Sequence, residues 1–226
     1  MAIEDWKGYI VANGFNPELQ NFGGYHRIFQ GLGITDLEIV RFNDSNQECA
    51  KKLGELVRKS SKKPFVTCFG HDLITYLTDD TVDHVYFDAH SDDYSSDDFN
   101  HGSFINFMQG RHICIGAREI DYPNRPDRNT TLLRCEDTDT IRSFPFRDRI
   151  FLSIDTDVFH PSVTTAHTIG EMTPYEGRLF PYQVRELLKI VTQKSETSGI
   201  ALTEYFPFYE NDLTDEIFIS LLRDFI

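Results

Sequence analysis

The stretch "VYFDAHSDDY", residues 85–94, runs from an apolar strand pattern directly into a cluster of ionisable side chains. The cluster contains Asp88, His90, Asp92 and Asp93. Carboxylates crowded at a strand end repel one another and lose hydration, so the arrangement is costly unless a cation lies among them or solvent reaches them. Asp88, His90 and Asp92 alternate along the chain, which on an extended strand places all three side chains on one side.

Similar apolar segments recur along the chain and predict buried strands. They are "LEIVRF" (37–42), "PFVTCFG" (64–70), "HVYFDAH" (84–90), "HICIGAR" (112–118), "RIFLSIDTDVF" (149–159) and "GIALTEYFP" (199–207). Helical patterns cover 46–63, 181–195 and 215–225, with Asn46 and Pro181 as expected helix starts. Doubly apolar strands alternating with helices predict an α/β fold, with helices on both faces of a mainly parallel central sheet.

The rest of the chain offers fewer signals. Residues 119–149 are rich in charge and proline and are predicted to form an irregular connection. No linker or repeat is evident, so we expect residues 1–226 to form a single domain.

Several polar residues fall where predicted strands end, and in parallel sheets ligands bind beyond the carboxyl ends of the strands. His71 follows one strand, Asp155 and Asp157 close another, and Glu204 ends a third. Each acidic pattern alone is read more simply as an exposed turn or a helix cap. Together with the 88–92 cluster they favour a site for a divalent cation, especially Mn²⁺, and the absence of sulfur ligands disfavours structural zinc.

Composition limits the partners. The formal charge is −14, from 36 acidic and 22 basic residues, which makes a nucleic-acid partner unlikely and suits a cationic substrate, although acidity also serves solubility. The 4 cysteines form no CxxC pair and are expected to be buried thiols. No apolar run is long enough to cross a membrane, and the N-terminus carries early acids, so we expect a cytoplasmic protein without a membrane partner.

Two of these motifs carry a resemblance to a known family. "FDAHSD" (87–92) with "SIDTDVFHPS" (153–162) resembles the paired metal signatures DAHxD and SxDxDxxDP of the ureohydrolases, the arginase and agmatinase family. "FGHDL" (69–73) resembles the GDHS segment of that family. "NHGSFINF" (100–107), "ICIGAREID" (113–121) and "ALTEYFP" (201–207) follow in the family's order, so that the resemblance extends over about residues 64–210 and not over the first 60.

The resemblance implies the three-layer α/β/α arginase-like fold and two Mn²⁺ ions per chain, with a water or hydroxide bridging them. The implied metal ligands are His71, Asp88, His90, Asp92, Asp155 and Asp157. Asp72 is the alternative to His71, because the residues flanking this histidine differ from the family segment.

The resemblance also assigns roles around the metals. Asp92 is implied as a catalytic ligand, His101 as a proton shuttle and Glu204 as the carboxylate that receives the substrate guanidinium in a two-pronged contact. Asp121 lies where arginases contact the amino end of the substrate. Tyr94 stands where free-arginine enzymes carry an asparagine that contacts the substrate carboxylate, so both positions are candidates for substrate binding.

The departures from the family pattern narrow the expected substrate. His160 replaces the last aspartate of SxDxDxxDP, outside the ligand set, and could alter hydrogen bonds around the metals. Tyr94 and the acids Asp93, Asp97 and Asp98 are poorly suited to a free carboxylate.

These features resemble the compact peptide arginases of ribosomal peptide biosynthesis, which convert arginine side chains in a precursor peptide to ornithine and release urea. Such a peptide is therefore the expected partner. The alternatives are a hydrolase of agmatine or another small guanidino compound, a deacetylase-like amidohydrolase, and a non-catalytic metal-binding scaffold. A homo-oligomer is possible.

Overall fold

The structure is a computed structural model that describes residues 2–13, 23–42, 44–94, 96–118, 130–163, 177–205 and 212–226. Its centre is a sheet of 8 strands, all paired in parallel, in the order β2-β1-β3-β8-β7-β4-β5-β6. The strands are β1 (Trp6–Asn13), β2 (Leu37–Phe42), β3 (Lys63–Cys68), β4 (Asp83–Phe87), β5 (Arg111–Ile115), β6 (Thr130–Leu133), β7 (Arg149–Asp155) and β8 (Glu196–Thr203). The predicted parallel α/β sheet is confirmed.

The α-helices of the described residues are α1 (Gly23–Leu32), α2 (Asn46–Lys59), α3 (Thr138–Ser143), α4 (Pro181–Thr192) and α5 (Asp212–Leu222). Helix α2 begins at Asn46, as predicted, and the Ser45 hydroxyl accepts a hydrogen bond from the Glu48 amide at 3.4 Å. Helix α4 begins at Pro181, whose fixed φ and missing N–H suit a first helical turn.

Helices cover both faces of the sheet, because the side chains of each strand alternate between two apolar clusters. In β4, Val85 and Phe87 pack into the cluster that contains residues of α1, α3, α4 and α5. Tyr86 packs into the opposite cluster, with residues of α2. The result is the three-layer α/β/α architecture that the resemblance implies.

Several elements differ from the sequence-based prediction. Strand β1 and helix α1 were not predicted, and they pack together where a Cβ on Gly8 would come within 2.5 Å of the Phe29 ring. The prediction of an irregular connection over 119–149 is wrong in part, since β6 and α3 lie within it. Helix α5 begins at Asp212, before the predicted start at residue 215.

The cysteines and the helices of the described residues bear on the expectations from composition. Cys49, Cys68 and Cys114 are buried, as predicted, and Cys135 is half-buried. None of the helices in the described ranges is both long enough and apolar enough to span a membrane. The single-domain organisation stays a prediction.

Candidate metal centre

The candidate site lies at the carboxyl ends of four neighbouring strands, β3, β8, β7 and β4. His71 follows β3 in a short 3-10 turn, and Asp88 follows β4 directly. Asp155 is the last residue of β7, and Glu204 comes immediately after β8. The predicted convergence of polar residues on one edge of the sheet is therefore what the topology produces.

The first ligand group surrounds the His71 ring. His71 Nδ1 lies 2.9 Å from Asp88 Oδ2, 3.1 Å from Asp92 Oδ2 and 3.3 Å from Asp155 Oδ2. All four side chains are buried or nearly so. One ring nitrogen facing three carboxylates is a donor set suited to a divalent cation that accepts nitrogen and oxygen.

A second group shares Asp88 with the first. His90 Nδ1 lies 2.7 Å from Asp157 Oδ2 and 3.7 Å from Asp88 Oδ1. In a third group, carboxylate oxygens of Asp155, Asp157 and Glu204 lie within 4.8 Å of one another. Asp88 belongs to the first and second groups, and Asp157 belongs to the second and third. Groups that share ligands in this way are suited to two neighbouring cations.

The backbone brings these residues together in a way that the strand spacing did not predict. Strand β4 ends at Phe87, and Asp92 has a left-handed backbone with φ of 51°. The expectation that alternation on an extended strand aligns Asp88, His90 and Asp92 is therefore wrong, because a turn brings them together. Asp88 Oδ1 fixes that turn by accepting a hydrogen bond from the His90 amide at 2.7 Å.

Further backbone amides and hydroxyls hold the acids of β7. Asp157 Oδ1 accepts from the Ala89 amide at 3.2 Å, and Asp155 Oδ1 accepts from the Asp157 amide at 3.0 Å. The Thr203 hydroxyl donates to Asp155 Oδ2 at 3.1 Å. Each of these acids thus has one oxygen fixed by a backbone amide, which orients the other oxygen of Asp157 toward His90.

Burial and crowding shift the pKa values of the acids. Burial raises the pKa of Asp88 well above its ordinary value, and the neighbouring Asp92 charge raises it further. Burial also raises the pKa of Asp155 and of Glu204, with nearby carboxylates adding to both shifts. For Asp157, burial is outweighed by its hydrogen bond to His90, by the charge of His90 and by the Ala89 amide, so its pKa is lowered.

These observations fit a bound metal. Asp88 Oδ2 is buried and receives no hydrogen bond from the described residues, although it faces His71 Nδ1. A carboxylate oxygen left without a donor is expensive unless a cation binds it. The alternative ligand Asp72 lies outside the three groups and accepts a hydrogen bond from Asn46 Nδ2 at 2.9 Å. Of the two residues, only His71 belongs to a group of described residues that could hold a metal ion.

The residues with proposed catalytic and substrate-binding roles differ in their exposure to solvent. Glu204 is 8% exposed and has a left-handed backbone with φ of 53°. His101 is exposed, and its charge lowers the pKa of Asp72, although burial of that carboxyl outweighs this effect. Tyr94 is 40% exposed, and its amide donates to the Gly102 carbonyl at 2.9 Å. Asp121 lies outside the described residues.

The residues that depart from the family pattern differ in their exposure and in their contacts. His160 is exposed, contacts Ser162 Oγ through Nδ1 at 2.8 Å and stacks on Phe180 with centroids 5.1 Å apart. It is in none of the three ligand groups. Asp93 is buried and accepts a hydrogen bond from Ser91 Oγ at 2.6 Å, whereas Asp97 and Asp98 are exposed.

Two buried polar residues beneath the ligands were not predicted. Ser153 lies in β7 and His84 in β4, and both are fully buried. The only indication in the sequence is one polar residue within an otherwise apolar strand pattern, as in "HVYF" and "FLSI". The position of such a polar residue in the sequence does not predict which residue of the neighbouring strand it contacts.

The comparisons with known proteins agree with this geometry. The sequence model described as "Arginase family" matches residues 15–226. The chain belongs to the Arginase family. The match begins at residue 15, so the expectation that the first 60 residues lack the family pattern is wrong for residues 15–60. No curated protein sequence matches the chain significantly.

Solved structures share the fold. An agmatine ureohydrolase of Thermoplasma volcanium is 18% identical, with a TM-score of 0.68 over 100% of this chain and 90% of that one. An arginase of Helicobacter pylori is 14% identical, with a TM-score of 0.68 over 96% of this chain and 97% of the other. A formimidoylglutamase of Bacillus subtilis is 17% identical, with a TM-score of 0.66 over 96% and 85%.

Membership of the Arginase family makes this chain a hydrolase of the C–N bonds of linear amidines, in a family that depends on a binuclear metal centre. Among the residues that the structure describes, the three ligand groups at the strand ends could hold such a centre.

Proposed function

We propose that this chain is a dimanganese hydrolase that converts arginine side chains within a precursor peptide to ornithine and releases urea. The observation that carries the proposal is that ligand groups from β3, β4 and β7 meet at one sheet edge, with the Glu204 carboxylate beside them. In the reaction, water adds to the guanidinium carbon and the bond from that carbon to the side-chain nitrogen breaks. The products are urea and the ornithine amine.

The metal ligands in this proposal are His71, Asp88, His90, Asp92, Asp155 and Asp157. Mn²⁺ accepts mixed carboxylate and imidazole ligands of this kind. When bound, two divalent cations would supply a nucleophile near neutral pH by lowering the pKa of water, and they would stabilise the charge that develops on the atoms bonded to the reacting carbon. The protein contributes fixed ligand geometry, because backbone amides hold Asp88, Asp155 and Asp157.

Glu204 is proposed to position the substrate. Its carboxylate oxygen lies within 4.8 Å of the oxygens of Asp155 and Asp157, so a group that it holds is next to the metal ligands. A guanidinium is planar and donates two parallel N–H bonds, which a carboxylate accepts in a two-pronged contact. Burial raises the pKa of Glu204, and the neighbouring carboxylates raise it further. A guanidinium relieves the repulsion among these acids, so the site favours a cationic substrate.

His101 is proposed to move protons between solvent and the reacting nitrogen. It is exposed, and its charge, like that of His71, acts on the buried carboxyl of Asp72. Imidazole has an intrinsic pKa near the working pH of such a reaction, so it can donate a proton to the departing amine and take one from water.

The peptide substrate is supported by residues on the loop that follows β4. By the family resemblance, Tyr94 stands where free-arginine enzymes carry an asparagine, and the exposed acids Asp97 and Asp98 on the same loop would repel a free carboxylate. An arginine inside a peptide has no free carboxylate to accommodate. These acids also suit agmatine, which is the second candidate substrate for the same centre.

The proposal is tested by urea release from the Mn²⁺-loaded protein with three substrates in parallel: free arginine, agmatine and an arginine-containing precursor peptide. The expected result is urea from the peptide alone, with loss of CH₂N₂ from the peptide for each converted arginine. Urea from agmatine would replace the peptide assignment by the second candidate. Urea from free arginine at a similar rate would contradict the role given to Tyr94.

A matched pair of variants separates the metal centre from a contaminating activity. Asp92→Ala removes one ligand of the first group and should abolish turnover and reduce bound Mn²⁺ while the fold persists. Asp139→Asn changes an exposed acid on α3 that belongs to none of the three ligand groups, and should keep full turnover. Equal turnover of Asp92→Ala and wild type would refute the ligand assignment.

A further inference from the structure

A buried polar chain extends beneath the metal ligands. His71 Nε2 lies 3.1 Å from Ser153 Oγ, and Ser153 Oγ lies 2.7 Å from His84 Nε2. All three side chains have an exposed fraction of 0%. The chain therefore connects a ligand of the first group, through one hydroxyl, to a second imidazole in β4.

The ligand role of His71 restricts the direction of these hydrogen bonds. His71 Nδ1 faces Asp88, Asp92 and Asp155, so a metal bound there requires the lone pair of Nδ1. A neutral imidazole carries one proton, which must then be on Nε2. The Nε2–H donates to Ser153 Oγ, and the Ser153 hydroxyl has its own proton left to donate.

His84 is the acceptor for that proton. Burial keeps this imidazole neutral, since it lowers the pKa of His84 well below its ordinary value, and the charges of His112 and His71 act in the same direction. One nitrogen of a neutral imidazole is always an acceptor. Nε2 is the nitrogen next to Ser153, while Nδ1 has no hydrogen-bond partner among the described residues.

The position of His84 is fixed by its neighbours. Its ring stacks on Tyr86, with centroids 4.9 Å apart and planes at 12°. In the sheet register Ser153 is paired with Tyr86, so His84 reaches it from the adjacent pair on the same face of the sheet. A buried imidazole with an unbonded nitrogen stabilises the fold less than an aliphatic side chain in the same position would. Its presence here therefore indicates a role other than packing.

We propose that His84 is a positioning residue of the metal centre, which accepts the Ser153 hydroxyl proton and thereby holds His71 in the tautomer that presents its Nδ1 lone pair to the metal. Without this acceptor, the Ser153 hydroxyl can donate to His71 Nε2 instead, which moves the ring proton to Nδ1 and blocks metal binding. This inference rests on the metal centre of the proposed function.

The test is the Mn²⁺ dissociation constant of metal-stripped protein, measured by electron paramagnetic resonance of unbound Mn²⁺. His84→Leu removes the acceptor and should weaken binding about 10- to 100-fold, the usual effect of losing a group that orients a ligand. His84→Gln keeps an acceptor oxygen near the position of Nε2 and should recover most of the affinity. Ser153→Ala should weaken binding as much as His84→Leu, and the double variant should show no further loss.

The matched control is His112→Leu. His112 is also buried and lies edge-on to His84 at 5.9 Å, but its interaction is with the Met108 backbone and not with Ser153. This control should bind Mn²⁺ as wild type does. Thermal unfolding in EDTA is measured for each variant, so that affinities are compared only among folded proteins.

The outcomes separate the inference from the proposed function. Wild-type protein that binds no Mn²⁺ refutes the metal centre itself. Wild-type binding of two ions with unchanged affinity in folded His84→Leu refutes the role of His84 alone. Equal losses in His84→Leu, His84→Gln and His112→Leu would also refute it, because the loss would then reflect packing and not the acceptor.

Discussion

Replacing Asp88 by asparagine should stabilise the metal-free protein and abolish its stabilisation by Mn²⁺. Asp88 is fully buried and shares ligand groups with Asp92 and with Asp157. Asparagine keeps the Oδ1 atom that accepts the His90 amide hydrogen bond and replaces the oxygen that faces His71 by an amide. The substitution therefore removes one charge and leaves the local turn intact.

The magnitude follows from the spacing of the ligand atoms. Atoms within each group lie within 4.8 Å of one another, and at an effective dielectric constant of about 20 two unit charges at that separation repel by about 3.5 kcal/mol. The protein can escape this cost by protonating Asp88, which at about pH 7 costs at most about 4 kcal/mol relative to an ordinary aspartate. Since the buried amide also loses hydration, we expect a gain of about 2 kcal/mol in the free energy of unfolding.

Mn²⁺ should reverse the order of stability. Two sites, each with free Mn²⁺ at about 100 times its dissociation constant, would stabilise the wild type by about 5 kcal/mol. The Asp88→Asn variant lacks the ligand common to the first two groups and should gain little. Urea unfolding curves of both proteins, recorded in EDTA and in excess Mn²⁺, measure all four free energies.

Two results would refute this reasoning. If Asp88→Asn is less stable than wild type in EDTA, the carboxylate stabilises the fold without metal and crowding is not its main effect. If both proteins gain equally from Mn²⁺, the ion binds elsewhere. Asp97→Asn is the matched control, since it removes the same charge from an exposed position on the loop after β4 and should change neither curve by more than about 0.5 kcal/mol.

Three other predictions concern binding, proton transfer and pH. Glu204→Gln should bind Mn²⁺ normally but lose about 2 kcal/mol of substrate affinity, measured by titration calorimetry; unchanged affinity would remove its guanidinium role. His101→Asn should lower kcat more than it raises KM in steady-state assays, and the reverse pattern would contradict proton transfer. Because burial raises the folded-state pKa of Asp88, Asp155 and Glu204, their stabilising contribution is present below the unfolded pKa and is lost as pH rises through the folded values. In EDTA the free energy of unfolding should therefore fall as pH rises from about 4 toward neutrality, offset in part by Asp157, whose lowered pKa has the opposite sign; a rise would contradict these shifts.

The sequence predicts the central sheet well, because the strands that carry the site are buried on both faces. "PFVTC", "HVYF" and "FLSID" read as continuous apolar runs ending in polar residues, and they became β3, β4 and β7. Strand β6, at the sheet edge, covers only Thr130–Leu133, with Thr131 exposed and Leu132 half-buried. An edge strand this short leaves no periodic pattern to read, so it was predicted as irregular.

The spacing of the candidate ligands suggested that they lie along an extended strand, but the structure brings them together in another way. Alternation at positions 88, 90 and 92 suggested a strand, but the left-handed Asp92 shows that the chain turns after Phe87. The backbone conformation of a non-glycine residue in this region depends on tertiary contacts that fix it, which local sequence does not specify. The candidate site could be predicted from the types of residue at the strand ends. It could not be predicted from the extended conformation that their spacing suggested.

Residues that act through strand pairing escaped sequence reasoning altogether. Ser153 lies next to His84 only because β7 pairs with β4 in a register that places Ser153 opposite Tyr86. A shift of this register by one residue would turn Ser153 to the other face of the sheet, away from His71. No property of either segment by itself selects that register.

The charges at the site and the sheet beneath it act in opposite directions on stability. The second ligand group needs only the β4–β7 pair, since its residues follow these two strands. His71 of the first group comes close to Asp88 only when β8 pairs with both β3 and β7. Crowded acids therefore oppose the pairing of these strands in metal-free protein, and the two apolar clusters must outweigh them. Because a metal ion stabilises only the assembled sheet, the arrangement that destabilises the empty protein is the one that lets the bound metals stabilise it.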